Sequence, residues 1–593
     1  MKTEHHLRKE TLQVVVGLLA YIAITCTVRD SYYQLIFSLV PVWAMLGVAW
    51  NIFSGYSGLV SFGHAAFFGL GAFVVTLLLV HFGITPWLGL LAAGALGGLA
   101  GLLIGLPTFR LRGLYFSLAM LAYPLALLYV FEWLGWREIT LPMQRVEPWK
   151  FMQFDDQRIY ILIGTGLLGL ALLVNRRIAR TRFGLSLLAI KQNELAAQGA
   201  GINPFVWKLK ALVLSATIAG IAGGFYAVIL LIVTPSSVFG MLVSAKAMTV
   251  VLFGGVAHVV GPLVGALVLI PLGDFLNAEF GSRWPGIQGV VYGLAIITVV
   301  LVAPQGIVPK ISEMLRRGKR TALVRAPMHL DASPYSRSPA PAEATVTERV
   351  TLLDASGLTK VFGGVAAVTE VSLTIKRGEI LGIIGPNGAG KTTLFNMLNG
   401  LIPPDTGRII FDGRSLDHLP PHLVCRAGIG RTFQVVRSFA RLNLLDNVVV
   451  GAFSSHAADA DAYRAARLAL TRVGMLDYAE IPATELTILQ LRLMELARAI
   501  AGEPELLLLD EILAGLGAEE IEYMLKVIDQ LNRDGMTVGI IEHTMHAMVR
   551  LADRLVVLDH GVVIADGAPA SVTNDDRVIE AYLGKRWGKH ATD

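Results

Sequence analysis

"EILGIIGPNGAGKTTLFNML", residues 379–398, decides the fold of the second half of the chain. The apolar run Ile380–Ile384 reads as a short buried strand. It passes into Gly385, Pro386, Asn387, Gly388, Ala389, Gly390, Lys391 and Thr392, followed by Thr393 and a helix. This is the strand–GxxxxGK[ST]–helix pattern of a phosphate-binding loop. The glycines let backbone N–H groups wrap a phosphate, and the helix N-terminus adds a favourable dipole. Lys391 is expected to reach the β- and γ-phosphates and Thr392 to ligate Mg²⁺, so ATP and Mg²⁺ are the expected cofactors.

Two later strands supply chemistry to the same sheet edge. "ELLLLDE" (505–511) ends in Asp510 and Glu511, and "TVGIIEH" (537–543) ends in His543. Strand C-termini line the ligand crevice of an open α/β sheet. Asp510 suits a Mg²⁺ shell, Glu511 a general base, and His543 a contact to the γ-phosphate and attacking water. Gln434, in "GIGRTFQVVRSF" (428–439), has no assignment from spacing alone. Phe362, in "LTKVFGGVAAV" (358–368), suits an adenine-stacking ring and equally a core aromatic.

The first half is of another kind. The 593 residues are 54% hydrophobic and 16% charged, against about 25% charged in soluble domains. The net charge of +5 has no clustered basic face, which argues against a nucleic-acid partner. Apolar runs at 11–28, 33–53, 62–82, 86–106, 113–134, 158–174, 208–232, 245–275 (broken) and 286–303 read as about 8–10 membrane spans. The first run is too long for a cleaved signal core. Arg176, Arg177, Arg180, Arg182, Lys191, Lys208 and Lys210 place the 175–210 segment in the cytoplasm, and Lys310, Arg316, Arg317, Lys319 and Arg320 place the exit there too. The expected domains are therefore a permease-like membrane domain over 1–318, an Ala/Pro/Ser-rich linker over 319–350 and a nucleotide-binding domain over 351–593. The linker composition reads as a flexible tether, with an ordered strap as the alternative.

Gly55, Gly58, Gly63, Gly69 and Gly71 crowd one membrane segment. Close helix packing explains them, and so does a broken helix lining a path. His64 sits among them and is a pathway candidate as an ionisable residue at membrane depth. Cys26 and Cys425 lie in different halves and fit no metal spacing.

Taken in order, the motifs from Leu352 to about Val572 resemble the nucleotide-binding domain of ABC transporters. The resemblance implies adenine stacking for Phe362, and a Mg²⁺ and membrane-partner contact for Gln434. It also implies that Leu486–Gln490, with Thr487 and Gln490, grips ATP bound to an opposite subunit. "GIGRTFQVVRSFARLNLLDNVVVGA" (428–452) and "LLLLDEILAGLGAEE" (506–520) look most like ATPases of the high-affinity branched-chain amino-acid importers. "NIFSGYSGLVSFGHAAFFGLGAFVVTLL" (51–78), "TRFGLSLLAIKQNELAAQGAGINPFVWKL" (181–209), "VLFGGVAHVVGPLVGALV" (251–268) and "VAPQGIV" (302–308) resemble the permeases of that family. Ala189–Gly201 reads as a short amphipathic helix, and the resemblance makes it a coupling helix docked near Gln434, with Asn193 and Glu194 as its polar contacts.

The expected function is thus a fused permease and ATPase driving uptake of a small solute, with branched-chain amino acids favoured over urea, short amides, or aromatic and other carboxylic acids. No segment reads as a solute-binding domain, so a separate extracytoplasmic binding protein is implied. A full importer needs two permeases and two ATPases. A second permease–ATPase chain is favoured over a second copy of this one. An exporter fits poorly with many short Gly-rich spans. A nucleotide-gated sensor draws support from one place: in "ELTILQLRLMELARAI" (485–500), Ile488 and Leu489 stand where the family has glycines, and Gly517 replaces an acidic or amide residue. Leu489 is expected to add bulk where backbone should approach phosphate, leaving this chain's own phosphate-loop site intact but weakening the site it completes across a dimer.

Overall fold

The structure, a computed structural model, describes residues 2–317 apart from 112, 145 and 285, then Tyr335, and then 350–583. Chain contacts divide it into two units. The first comprises Met1–Lys191 and Phe205–Arg325. The second comprises Gln192–Pro204 and Ala326–Asp593.

The first unit is helical: α1 (Lys2–Thr27), α2 (Ser31–Trp50), α3 (His64–Phe82), α4 (Pro86–Thr108), α5 (Leu114–Trp133), α6 (Gln157–Ala179), α7 (Arg182–Gln192), then after a short helix of the second unit, α8 (Glu194–Gly199), come α9 (Pro204–Leu230), α10 (Met241–Gly254), α11 (Gly261–Phe280) and α12 (Ile287–Val302). Among the described residues eight helices are long and apolar enough to span a membrane, and Val14–Thr27 and Gly289–Val299 are shorter apolar stretches. The run 245–275 is two helices. A short helix at Pro235–Phe239 leads into α10, and the chain breaks before α11. Gly255 takes φ +143°, and a Cβ on Gly254 would lie 1.8 Å from the Gly261 carbonyl oxygen, so glycine is needed for the two helices to meet.

The glycine-rich segment holds both a break in the helix and a close helix crossing. The helix beyond α2 passes through a π-helical turn at Asn51–Gly55, and the chain is irregular before α3 starts at His64. Farther on, α3 packs backbone to backbone on α9: a Cβ on Gly71 would sit 2.0 Å from the Gly220 carbonyl oxygen. Small residues at such crossings let helices gain dispersion contacts that lipid does not supply.

The second unit holds two sheets. An antiparallel sheet contains β1 (Thr351–Phe362), β2 (Val365–Lys376) and, after β3 (Ile380–Ile384), β4 (Thr406–Phe411). The main sheet has the order β9-β8-β3-β7-β6-β5, with β5 at Ile429–Arg431, β6 at Leu506–Asp510, β7 at Thr537–Ile541, β8 at Arg554–Asp559 and β9 at Val562–Gly567. Strands β3, β6 and β7 are fully buried and nearly all apolar, as parallel strands covered on both faces must be. Register pairs Ile383 with Ile541 and Ile541 with Asp510, so their C-terminal ends are level. Three loops bearing the expected chemistry leave one edge side by side. The helices of this unit include α13 (Lys391–Leu398), α14 (Pro421–Ala427), α15 (Leu444–Ala452), α16 (Asp459–Arg472), α17 (Ile488–Ile500) and α18 (Ala518–Arg533).

The expected linker over 319–350 lies outside the described residues except for Tyr335 and Val350. Tyr335 is buried: its N–H donates to Glu522 Oε2 at 2.5 Å, its carbonyl accepts from Arg550, and the Arg550 guanidinium covers its ring at 5.5 Å.

Candidate functional site

The phosphate loop is built on backbone that only glycine adopts freely. Gly385, Gly388 and Gly390 take φ of +150°, +82° and +97°. A Cβ on Gly385 would lie 2.1 Å from the Leu558 carbonyl oxygen, and one on Gly390 2.3 Å from that of Ala367. Pro386, Asn387 and Ala389 complete the turn, and Gly390 caps α13, whose first turn carries Lys391, Thr392 and Thr393. The Lys391 ammonium donates to the carbonyls of Gly385 (2.8 Å) and Pro386 (2.9 Å). Burial lowers its pKa, opposed by the charges of Glu511 and Asp510.

Beside the loop, Asp510 is fully buried at the end of β6. Its Oδ2 accepts from Arg431 at 3.0 Å, while its Oδ1 is buried without a hydrogen-bond partner. Burial pushes this carboxyl up and Arg431 draws it back down. Arg431 escaped the sequence reading, although it stands in the quoted "GIGRTFQ".

Glu511 takes φ +49°, a conformation an L residue adopts only when its surroundings enforce it. That turn swings its carboxylate between two separate loops. His543 Nε2 lies 2.7 Å from Oε1, and Gln434 Nε2 donates to Oε2 at 2.9 Å. The structure thus joins Gln434, Glu511 and His543 in one constellation, including the glutamine that spacing left unassigned. Behind it, Arg492 of α17 donates to the carbonyls of Gln434 (3.0 Å) and Phe433 (3.2 Å) and to that of Ala514 (3.3 Å). Glu542 accepts from the Leu513 N–H at 2.7 Å, and burial pushes its carboxyl up to about 7. Both residues tie the loop after Glu511 to its neighbours, and neither was singled out in the sequence.

Phe362 is 45% exposed at the end of β1, which removes the core-aromatic reading, and the Lys360 ammonium lies over its ring at 5.7 Å. Thr487 and Gln490 form a reciprocal cap on α17. The Thr487 hydroxyl accepts from the Gln490 N–H at 3.3 Å, and the Gln490 side chain accepts from the Thr487 N–H at 3.0 Å. Here the expectation about Leu489 needs correction. Leu489 is 3% exposed and packs into its own domain, whereas Ile488 is 58% exposed at the helix start. The bulk presented outward is that of Ile488. Gly517 caps α18 with backbone alone, its N–H donating to Glu520 at 2.8 Å.

The 189–201 segment is also corrected. It is not one helix: α7 ends at Gln192, and Asn193 breaks it by capping α8, its Oδ1 accepting from the Ala196 N–H at 2.9 Å. The same Oδ1 accepts from Arg437 at 3.2 Å, and the Gln192 side-chain oxygen accepts from the Arg441 N–H at 2.8 Å. Arg426 on α14 donates to the Gly201 carbonyl at 3.1 Å. Ala196, Gly199 and Ala200 face Phe433, the neighbour of Gln434, across a small cleft. Glu194 is exposed on the first turn of α8.

In the membrane unit, His64 is 0% exposed. Its Nδ1 lies 3.0 Å from Ser61 Oγ and its Nε2 2.8 Å from Ser215 Oγ, which in turn donates to the Ala49 carbonyl. Both ring nitrogens are engaged, so the imidazole braces α2, α3 and α9 together.

Residues 32–303 match the family described as "Branched-chain amino acid transport system / permease component", residues 368–514 match "ABC transporter", and residues 562–587 match "Branched-chain amino acid ATP-binding cassette transporter". The high-affinity branched-chain amino acid transport ATP-binding protein LivG of Salmonella typhimurium is 38% identical over 250 residues, covering 40% of this chain and 98% of LivG. BraF of Pseudomonas aeruginosa, of the same description, is 36% identical over the same shares. The lipopolysaccharide export system ATP-binding protein LptB of Escherichia coli is 34% identical over 235 residues, covering 39% of this chain and 97% of LptB. An ABC ATPase that binds and hydrolyses ATP thus follows a multi-pass membrane permease on one polypeptide, and the chain belongs to the branched-chain amino-acid transport family of ABC transporters.

Proposed function

We propose that this chain is one half of an importer that takes up branched-chain amino acids delivered by a separate solute-binding protein. The match of the membrane half over 32–303 carries this reading. The ATPase half alone would not, since it is similar both to LivG and to LptB, whose cargoes differ. Calorimetric or thermal-shift screening of the cognate binding protein tests it. Leucine, isoleucine and valine are the expected ligands. A binding protein that ignored them and bound urea, an amide or an aromatic acid would overturn the assignment.

The residues in place support the following site chemistry. Gly385–Thr393 cradle the phosphates, and Lys391 exchanges its two carbonyl partners for β- and γ-phosphate oxygens. The buried, unpartnered Oδ1 of Asp510 fits a cation, and with Thr392 and Gln434 it would hold Mg²⁺. That ion supplies neutralisation of the charge developing on the phosphates. Glu511 takes the proton of the attacking water, while His543 and Gln434 fix its carboxylate. Phe362 stacks on the adenine. Asn193 and its neighbours pass the state of the Gln434 loop to α7 and α9 along continuous chain.

The partner in this reading is a second, different permease–ATPase chain. Ile488 at the start of α17 crowds the nucleotide held by that partner, while this chain's own site keeps every catalytic group. Turnover is then concentrated at the site built on Glu511.

A further inference from the structure

The helix run Pro235–Gly254 contains one charged residue, Lys246. A charged side chain amid lipid-spanning helices costs free energy and marks function more often than stability. Here the ammonium is held among aromatic rings. It lies over the ring of Trp43 on α2, 4.8 Å from the centroid, and 5.9 Å from that of Tyr292 on α12. Trp43 is buried in the bundle, stacked on Phe68 of α3 at 5.8 Å and meeting Tyr226 of α9 edge-on at 6.0 Å. Asp274 lies on α11, which packs against both α2 and α10, and puts an opposite charge near Lys246 and Tyr226. Five helices besides α10 thus contribute to one cluster of a cation, an anion and aromatic faces.

Its depth follows from the topology. The 175–210 segment is cytoplasmic, so α9 runs outward, α10 inward, α11 outward and α12 inward. Tyr226 and Asp274 lie late on outward helices and Tyr292 early on an inward one. The cluster therefore occupies the extracytoplasmic half of the bundle, where solute arrives.

We infer that Lys246 and Asp274, flanked by the faces of Trp43 and Tyr226, form an intramembrane site for the head group of an amino-acid solute. Lys246 takes the α-carboxylate, and Asp274 with the aromatic faces takes the α-ammonium. A purely structural ion pair is a poor alternative use, because apolar residues of similar volume stabilise a buried site as well or better. The inference rests on the amino-acid reading of the cargo given above.

The test is uptake by cells carrying the complete transporter. Lys246→Met and Asp274→Asn are each expected to cut leucine uptake roughly tenfold or more, the loss of one charge-assisted contact, with Lys246→Arg retaining most of it. The double variant K246M/D274N stays as poor as the single ones. Recovery of uptake in the double variant, or wild-type uptake by Lys246→Met, would overturn the site and leave a packing role. Should these variants fail to reach the membrane, Lys246→Cys in a background lacking Cys26 and Cys425 gives a second reading. Its labelling by an aminoethyl thiosulfonate should be slowed by leucine-loaded binding protein, and an unchanged rate would contradict the site. Uptake of 4-methylpentanoate or benzoate in place of leucine by the wild type would sink the amino-acid cargo. Sensitivity of that uptake to Lys246→Met would still support the carboxylate contact.

Discussion

Glu511 and Glu542 illustrate how the same side chain does different work a strand apart. Glu511 is held between Gln434 and His543. Glu511→Gln keeps the shape and removes the base, and should lower ATP turnover on the order of a hundredfold or more, measured as phosphate release. Glu542 is buried, and its pKa of about 7 exceeds the 4.5 of a free carboxyl. Between those values the folded chain holds a proton that the unfolded chain has released, so stability falls as pH rises from 4.5 to about 7. The span corresponds to about 3 kcal/mol at most. Glu542→Gln keeps an acceptor for the Leu513 N–H. It should flatten this decline and raise the melting temperature of the solubilised complex at pH 8, whereas an unchanged pH profile would show that Glu542 is ionised throughout. The phosphate-loop residues, Asp510, Glu511 and His543 were legible because they stand at strand ends. Gln434 was not, since its contact with Glu511 joins two loops far apart in sequence, and no local spacing encodes that meeting.

Helices α17 and α8 show what periodicity does and does not reveal. Leu489, Leu493, Leu496 and Ile500 fall on one face of α17, and all four are buried. That stripe was present in the sequence and places Leu489 inward, yet comparison with a glycine pair drew attention to its bulk. Ile488→Gly should therefore raise turnover at the site this chain completes in the assembled transporter. Leu489→Gly should instead destabilise the domain by a few kcal/mol through cavity formation, read by thermal unfolding. Equal gains from the two changes would contradict the assignment of the outward face. On α8, Asn193 both caps the helix and accepts from Arg437. Asn193→Ala should remove about 1 kcal/mol of capping and, with it, the link to the Gln434 loop. ATP hydrolysis should then lose its stimulation by solute-loaded binding protein while nucleotide binding persists. The break at Asn193 was hidden because Ala189–Gly201 keeps helix-forming residues on both sides of it.

For the whole molecule, composition and charge were enough to divide the chain into a lipid-embedded half and an α/β half. Hydropathy then counted spans to within one or two, since an apolar run cannot show where a glycine turn divides it, as at Gly255. Nor does hydropathy value a lone lysine such as Lys246, which lowers an average and is otherwise lost in it. Both halves on one chain mean that each ATPase is tied to its own permease, and the central claim is that hydrolysis in one drives uptake through the other. Radiolabelled leucine uptake by vesicles containing the complete transporter, its binding protein and ATP measures this directly. The account predicts accumulation that requires ATP and is abolished by Lys391→Ala. Hydrolysis without accumulation, or a nucleotide-dependent response without any solute uptake, would contradict it and favour a nucleotide-gated sensor.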